Sequence, residues 1–93
     1  MKELFNLNGK IAIVTGASGG LGRHFSEVLA KAGAIVCVAA RRIEKINETV
    51  DSIESLGGSA FGFEMDVTNL VGVESTFELI EKKIGPVTIV INN

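Results

Sequence analysis

Strand-like and helix-like segments alternate along the 93 residues in the order βαβαβαβ. That order predicts an α/β fold, a doubly wound parallel sheet with strand order 3-2-1-4. Three observations carry the prediction. Residues 10–15 and 35–40 are short apolar runs rich in β-branched side chains, as strands buried on both faces require. The segments between strands repeat apolar residues three and four apart, one face of a helix. A glycine-rich turn, Gly16-x-x-x-Gly20-x-Gly22, links the first strand to the first helix. Right-handed crossovers then leave helices on both faces of the sheet.

Residues 7–10 turn the chain into the first strand, 10–15. The first helix spans 20–32, with an apolar face of Leu21, Phe25, Val28, Leu29 and Ala32, and Gly33 ends it. The second strand is 35–40, followed by Arg41 and Arg42. The second helix, 43–56, carries the stripe Ile46, Val50, Ile53 and Leu56, and Gly57-Gly58 stops it. In the third strand, 59–65, Phe61 and Phe63 alternate with Gly62 and Glu64, a weaker pattern that suits a place near a sheet edge. Asp66-Val67-Thr68-Asn69 leads into a third helix with the stripe Val73, Phe77, Ile80 and Ile84, and Thr68 or Asn69 is its N-cap. Gly85-Pro86 closes that helix, and the strongly apolar residues 87–91 form the fourth strand, before Asn92-Asn93.

Composition narrows the function. Hydrophobic residues make up 46%, enough for a buried core, and the length allows one small domain. Net charge is -2 and the basic residues form no stripe, so no nucleic-acid partner is expected. The single cysteine, Cys37, excludes an intrachain disulfide and fits a reducing cytoplasm. Its setting in an apolar strand makes it a small buried hydrophobe. The first residues lack the apolar core of a signal peptide, and the longest apolar run, 34–40, is too short to cross a bilayer, so no membrane association is expected. His24 has no second ligand near it and is assigned no chemistry; no metal site is expected.

The glycines fit a phosphate site. Gly16 lets the chain turn sharply out of the strand, Gly20 lets a pyrophosphate approach the backbone, and Gly22 lets the helix lie close to the sheet. Free N–H groups and the positive end of the helix dipole point at the same place. The spacing differs from the Gly-x-Gly-x-x-Gly fingerprint of dinucleotide-binding turns. The order 3-2-1-4 reverses direction between strands 1 and 4, and ligands bind at that switch point, where Asn92-Asn93 also fall.

Thr15-Gly16-x-x-x-Gly20-x-Gly22 resembles the cofactor-binding motif of the short-chain dehydrogenase/reductase family. Asn92-Asn93 resembles the first half of that family's Asn-Asn-Ala-Gly motif. The resemblance covers residues 7–93 and implies the N-terminal half of a Rossmann-like NAD(P)-binding domain. It implies that Leu21 offers its backbone N–H to the pyrophosphate. Asp66 and Val67 flank the adenine, and Asn93 holds the adenine-side ribose through its backbone. Asn92 ties the strand ends together, and Thr15 bonds neighbouring backbone. Capping of the third helix is the other use open to Asp66. The second strand ends without an acid, so Arg41 is expected to meet the 2′-phosphate of NADP, with Ser18 reaching the same group. The alternative is that Arg41 and Arg42 decorate a loop surface. Many NADP-using relatives are basic at the position of Gly19, and this chain is not.

The family's chemistry, by the same resemblance, needs a Tyr acid/base with a nearby Lys, a Ser that polarises the carbonyl and a further Asn. This sequence contains no Tyr. No catalytic residue is therefore assigned, and the 93 residues alone are expected to turn over no substrate. The favoured reading is the N-terminal piece of an NADP-dependent oxidoreductase acting on a small alcohol or carbonyl substrate, with NAD the less favoured cofactor. A stand-alone nucleotide-binding or interaction module is the alternative; an extended-type epimerase or dehydratase ranks below both. The fourth strand has one neighbour only, so homo-oligomerisation or edge-strand pairing is expected.

Overall fold

The computed structural model describes residues 6–16 and 20–93. Its elements are β1 (Ile11–Thr15), α1 (Gly20–Lys31), β2 (Ile35–Ala40), α2 (Ile43–Ser55), β3 (Ser59–Glu64), α3 (Leu70–Lys83) and β4 (Ile89–Asn92). The strands form one parallel sheet in the order β3-β2-β1-β4, as the sequence predicts. The register aligns their carboxyl ends: Thr15 lies opposite both Ala39 and Asn92, and Ala39 lies opposite Phe63.

Alternation along each strand splits the core into two layers. Ala12, Val14, Val36 and Val38 face Ile46 and Ile53 of α2, with Leu29 and Ala30 of α1 packed beside them. Ile11, Ile13, Cys37 and Ala39 face Ile80 of α3, with Phe77 and Val73 at the margin. Each fully buried Val or Ile contributes about 1.5–3 kcal/mol by leaving water, an upper figure because unfolded chains are already partly compact. Glu27 joins α1 to α2 by accepting from the Ser52 hydroxyl at 2.6 Å and from Arg23 Nε at 3.3 Å. The Ser52 bond is the main reason its carboxyl ionises below the usual value.

Several details differ from expectation. The first helix does not bury Leu21 or Val28, which are 59% and 49% exposed. Its buried residues are Gly22 and Ser26, because small side chains bring the helix close to the sheet. The Ser26 hydroxyl is satisfied by donating to the Gly22 carbonyl at 2.8 Å. In α2, Leu56 lies beyond the helix end and is exposed, while Thr49 takes a buried place beside Ile46 and Ile53. The third strand ends at Glu64 rather than at residue 65, although Met65 N–H still bonds the Ala40 carbonyl at 2.7 Å. Of the two candidates for the α3 N-cap, Asn69 serves: its side chain accepts from Gly72 N–H at 3.0 Å. The fourth strand begins at Ile89, because Val87 packs into the α3-side core instead, and it includes Asn92. Among the described residues no helix is long and apolar enough to cross a membrane.

Candidate functional site

A cleft of about 510 Å³ opens at the carboxyl ends of the strands. Every strand contributes a lining residue just past its end: Gly16 after β1, Ala40 and Arg41 from β2, Met65 and Val67 after β3, and Asn93 after β4. The cleft therefore includes the switch point between β1 and β4.

Hydrogen bonds fasten the two central ends to each other. Thr15 Oγ1 donates to Asn92 Oδ1 at 3.0 Å and to the Ile91 carbonyl at 3.4 Å. Asn93 Nδ2 donates to the Gly16 carbonyl at 3.3 Å. Asn92 thus ties strand ends together, and Thr15 bonds neighbouring backbone, as expected. Gly16 turns the chain at φ 65°, in the left-handed region that side chains disfavour. A Cβ on Gly16 would also stand 2.8 Å from the Asn93 carbonyl oxygen. Both constraints call for glycine.

The remaining predicted residues fall around this core. Gly20, Leu21 and Gly22 form the first turn of α1, with Gly20 at φ 42°. Ser18 and Gly19 lie outside the described residues, as do residues 1–5. Arg41 and Val67 line the cleft, and Arg41 makes no salt bridge among the described residues. Arg42 lines it too and stands as the N-cap position of α2, with no side-chain cap bond. Asp66 sits between two lining residues, and its carboxylate is held by Thr68. Thr68 N–H and Oγ1 both donate to Asp66 Oδ1, at 2.9 and 2.7 Å. These bonds, with the charge of Arg41 adding to them, hold the Asp66 carboxyl below the usual range. Asp66 is not the N-cap of α3, which leaves its second oxygen, Oδ2, without a protein partner among the described residues.

Sequence reasoning did not single out Ala40, Met65 or Thr68 at this site. The first two had a legible signal, since each directly follows or ends a strand. Cys37 lies away from the cleft in β2, and burial raises its thiol to about 11, so it stays protonated at neutral pH. His24 is exposed and lies against Phe25 with ring centroids 6.4 Å apart. Among the described residues no three His, Cys, Asp or Glu side chains lie together as a metal site would need.

A family model described as short chain dehydrogenase matches residues 10–93. The chain is 40% identical to a short-chain dehydrogenase/reductase homolog of Bacillus subtilis, over 95% of this chain and 82% of that one. It is 38% identical to the 7α-hydroxysteroid dehydrogenase of Escherichia coli, over 94% of this chain and 34% of that one. An uncharacterized oxidoreductase of Caenorhabditis elegans is 43% identical over 95% of this chain and 29% of its own length. The chain thus spans about a third of the length of these last two relatives. In solved structures, the hydroxysteroid dehydrogenase of Escherichia coli superposes with a TM-score of 0.94 at 35% identity, over 100% of this chain and 40% of that one.

Proposed function

Because the chain belongs to the short-chain dehydrogenase family, a family of NAD(P)-dependent oxidoreductases, we propose that it binds the adenosine side of NADP. The whole protein would transfer a hydride between NADP(H) and a small alcohol or carbonyl substrate, in the cytoplasm and as a homo-oligomer. The cofactor, when bound, supplies the hydride donor or acceptor at its nicotinamide. This chain's residues bind and orient the other end. The backbone at Gly16, Gly20, Leu21 and Gly22 receives the pyrophosphate at the start of α1. Asn93 holds the ribose through its backbone, and Asp66 and Val67 flank the adenine. Arg41, with Ser18, receives the 2′-phosphate.

One observation carries the choice of NADP. β2 ends in Ala39 and Ala40, with no acid to accept a ribose hydroxyl, and Arg41, which makes no salt bridge among the described residues, lines the cleft directly after it. A charge-assisted bond from Arg41 to a phosphate is worth about 1.5–3 kcal/mol, or one to two decades in affinity. Titration calorimetry of the chain should therefore show tighter binding of NADP than of NAD. Arg41→Ala should erase most of that preference and leave NAD binding nearly unchanged. Equal loss for both cofactors would remove Arg41 from the phosphate site.

A second reading, a nucleotide-binding module without catalysis, is favoured by the Bacillus subtilis relative, of which this chain spans 82%. Both readings predict cofactor binding. They part on the residues encoded after Asn93: an Ala-Gly continuation and a later Tyr-x-x-x-Lys belong to the oxidoreductase alone.

A further inference from the structure

Asp66 sits between two residues that line the cleft, and its carboxylate is not free to choose a direction. Among the described residues, both of its protein bonds come from one residue, Thr68, and both end on one oxygen, Oδ1. Asn69 N–H closes the same turn on the Asp66 backbone carbonyl at 3.0 Å. Of the two oxygens of the Asp66 carboxylate, Oδ2 is the one without a protein partner among the described residues. On either side of Asp66, Met65 and Val67 line the cleft. An ionised carboxylate only accepts hydrogen bonds, so a clamp that uses up Oδ1 leaves Oδ2 as the oxygen open to a donor beyond the described residues.

We infer that Thr68 is a positioning residue for base recognition: its hydroxyl and N–H fix the Asp66 carboxylate so that Oδ2 accepts the exocyclic amine of the cofactor's adenine. The inference rests on the cofactor reading above. A rotating carboxylate would lose conformational freedom on binding, whereas a clamped one has already lost it, so the clamp raises affinity without touching the ligand. The hydroxyl bond is the part a substitution can remove. The N–H bond stays with any residue except proline.

The experiment compares NADP with nicotinamide hypoxanthine dinucleotide phosphate, in which a carbonyl oxygen replaces the adenine amine. Wild-type chain should bind the adenine form more tightly. Thr68→Val keeps the β-branched shape and the N–H bond but loses the hydroxyl. It should weaken the adenine form by about tenfold and leave the hypoxanthine form unchanged. Thr68→Ser should restore the preference, and Asp66→Asn should abolish it, with Thr68→Val adding nothing further in the double variant. A merely structural Thr68 would change both ligands together or shift the unfolding midpoint alone; either result overturns the inference. So does a Thr68→Val chain that keeps the full adenine preference, and then the cofactor reading stands. Wild-type chain that binds neither ligand brings down the cofactor reading and this inference with it.

Discussion

Gly16 shows how much one missing carbon carries. Its φ of 65° costs any other residue about 1–2 kcal/mol. Its absent Cβ is also the reason the Asn93 carbonyl can sit where it does. The two effects can be separated within this chain. Gly57 has a similar φ of 85°, and a Cβ there would meet nothing within 4 Å. Gly57→Ala should therefore bear the conformational cost alone, and Gly16→Ala the same cost plus a collision with Asn93. Urea unfolding should place Gly16→Ala clearly below Gly57→Ala in midpoint, and only Gly16→Ala should lose NADP affinity. Equal midpoints would mean that β4 yields to the added methyl. Glycine spacing made Gly16 legible in the sequence. Thr68 was not legible as a partner of Asp66, because a Thr two residues after an Asp reads equally as a helix cap, and only coordinates tell where its hydroxyl points.

Among elements, β2 was read to its ends, since a run of buried apolar residues bounded by Gly33 and Arg41 leaves little latitude. The helix α1 was placed correctly but its face was misjudged in part: Leu29 packs against the core as expected, while Leu21 and Val28 do not. A stripe of large apolar residues marks the buried side only when bulk does the packing. Here Gly22 and Ser26 lie against the sheet, and Leu21 stays 59% exposed. The strand β4 was read as uniformly apolar, yet its two faces differ. Ile89 and Ile91 pack toward the layer that holds α2, while Val90 is 56% exposed on the α3 side. Among the described residues β4 pairs with β1 alone, so its other edge presents N–H and C=O groups that none of them pairs, beside an uncovered apolar side chain. The chain should therefore self-associate. Light scattering should show a mass that rises with concentration, and Val90→Lys should reduce it while leaving the core intact. Lysine at Ile89 would serve poorly as the test, since it would unfold the layer. A wild-type chain that stays monomeric at every concentration would show that this edge is protected by other means.

At the scale of the molecule, the strand order was legible because crossover handedness leaves few arrangements for four strands and three helices. The location of the cleft followed from the same argument. Of its walls, Ala40 and Met65 had a signal in their strand-end positions, whereas the Thr68 clamp on Asp66 depends on side-chain direction that no periodicity encodes. The strand order has a further consequence, one of timing. β1 meets β2 across residues 11 and 35, but it meets β4 through the Thr15–Asn92 bond, 77 residues apart along the chain. Closing the longer loop costs about 1 kcal/mol more if nothing has formed between. The route with the smaller penalty first assembles β1, β2 and β3 with their helices, which brings residue 88 near its destination. By this argument β4 is expected to dock last and open first. The cleft exists only after that step, because Asn93 arrives with β4. A nucleotide bridging Gly16 and Asn93 would act as a latch on the strand expected to form last. Native-state amide exchange should accordingly be fastest among the strands in β4, slow most there when NADP is added, and contradict this order if β4 is as protected as β2 without ligand.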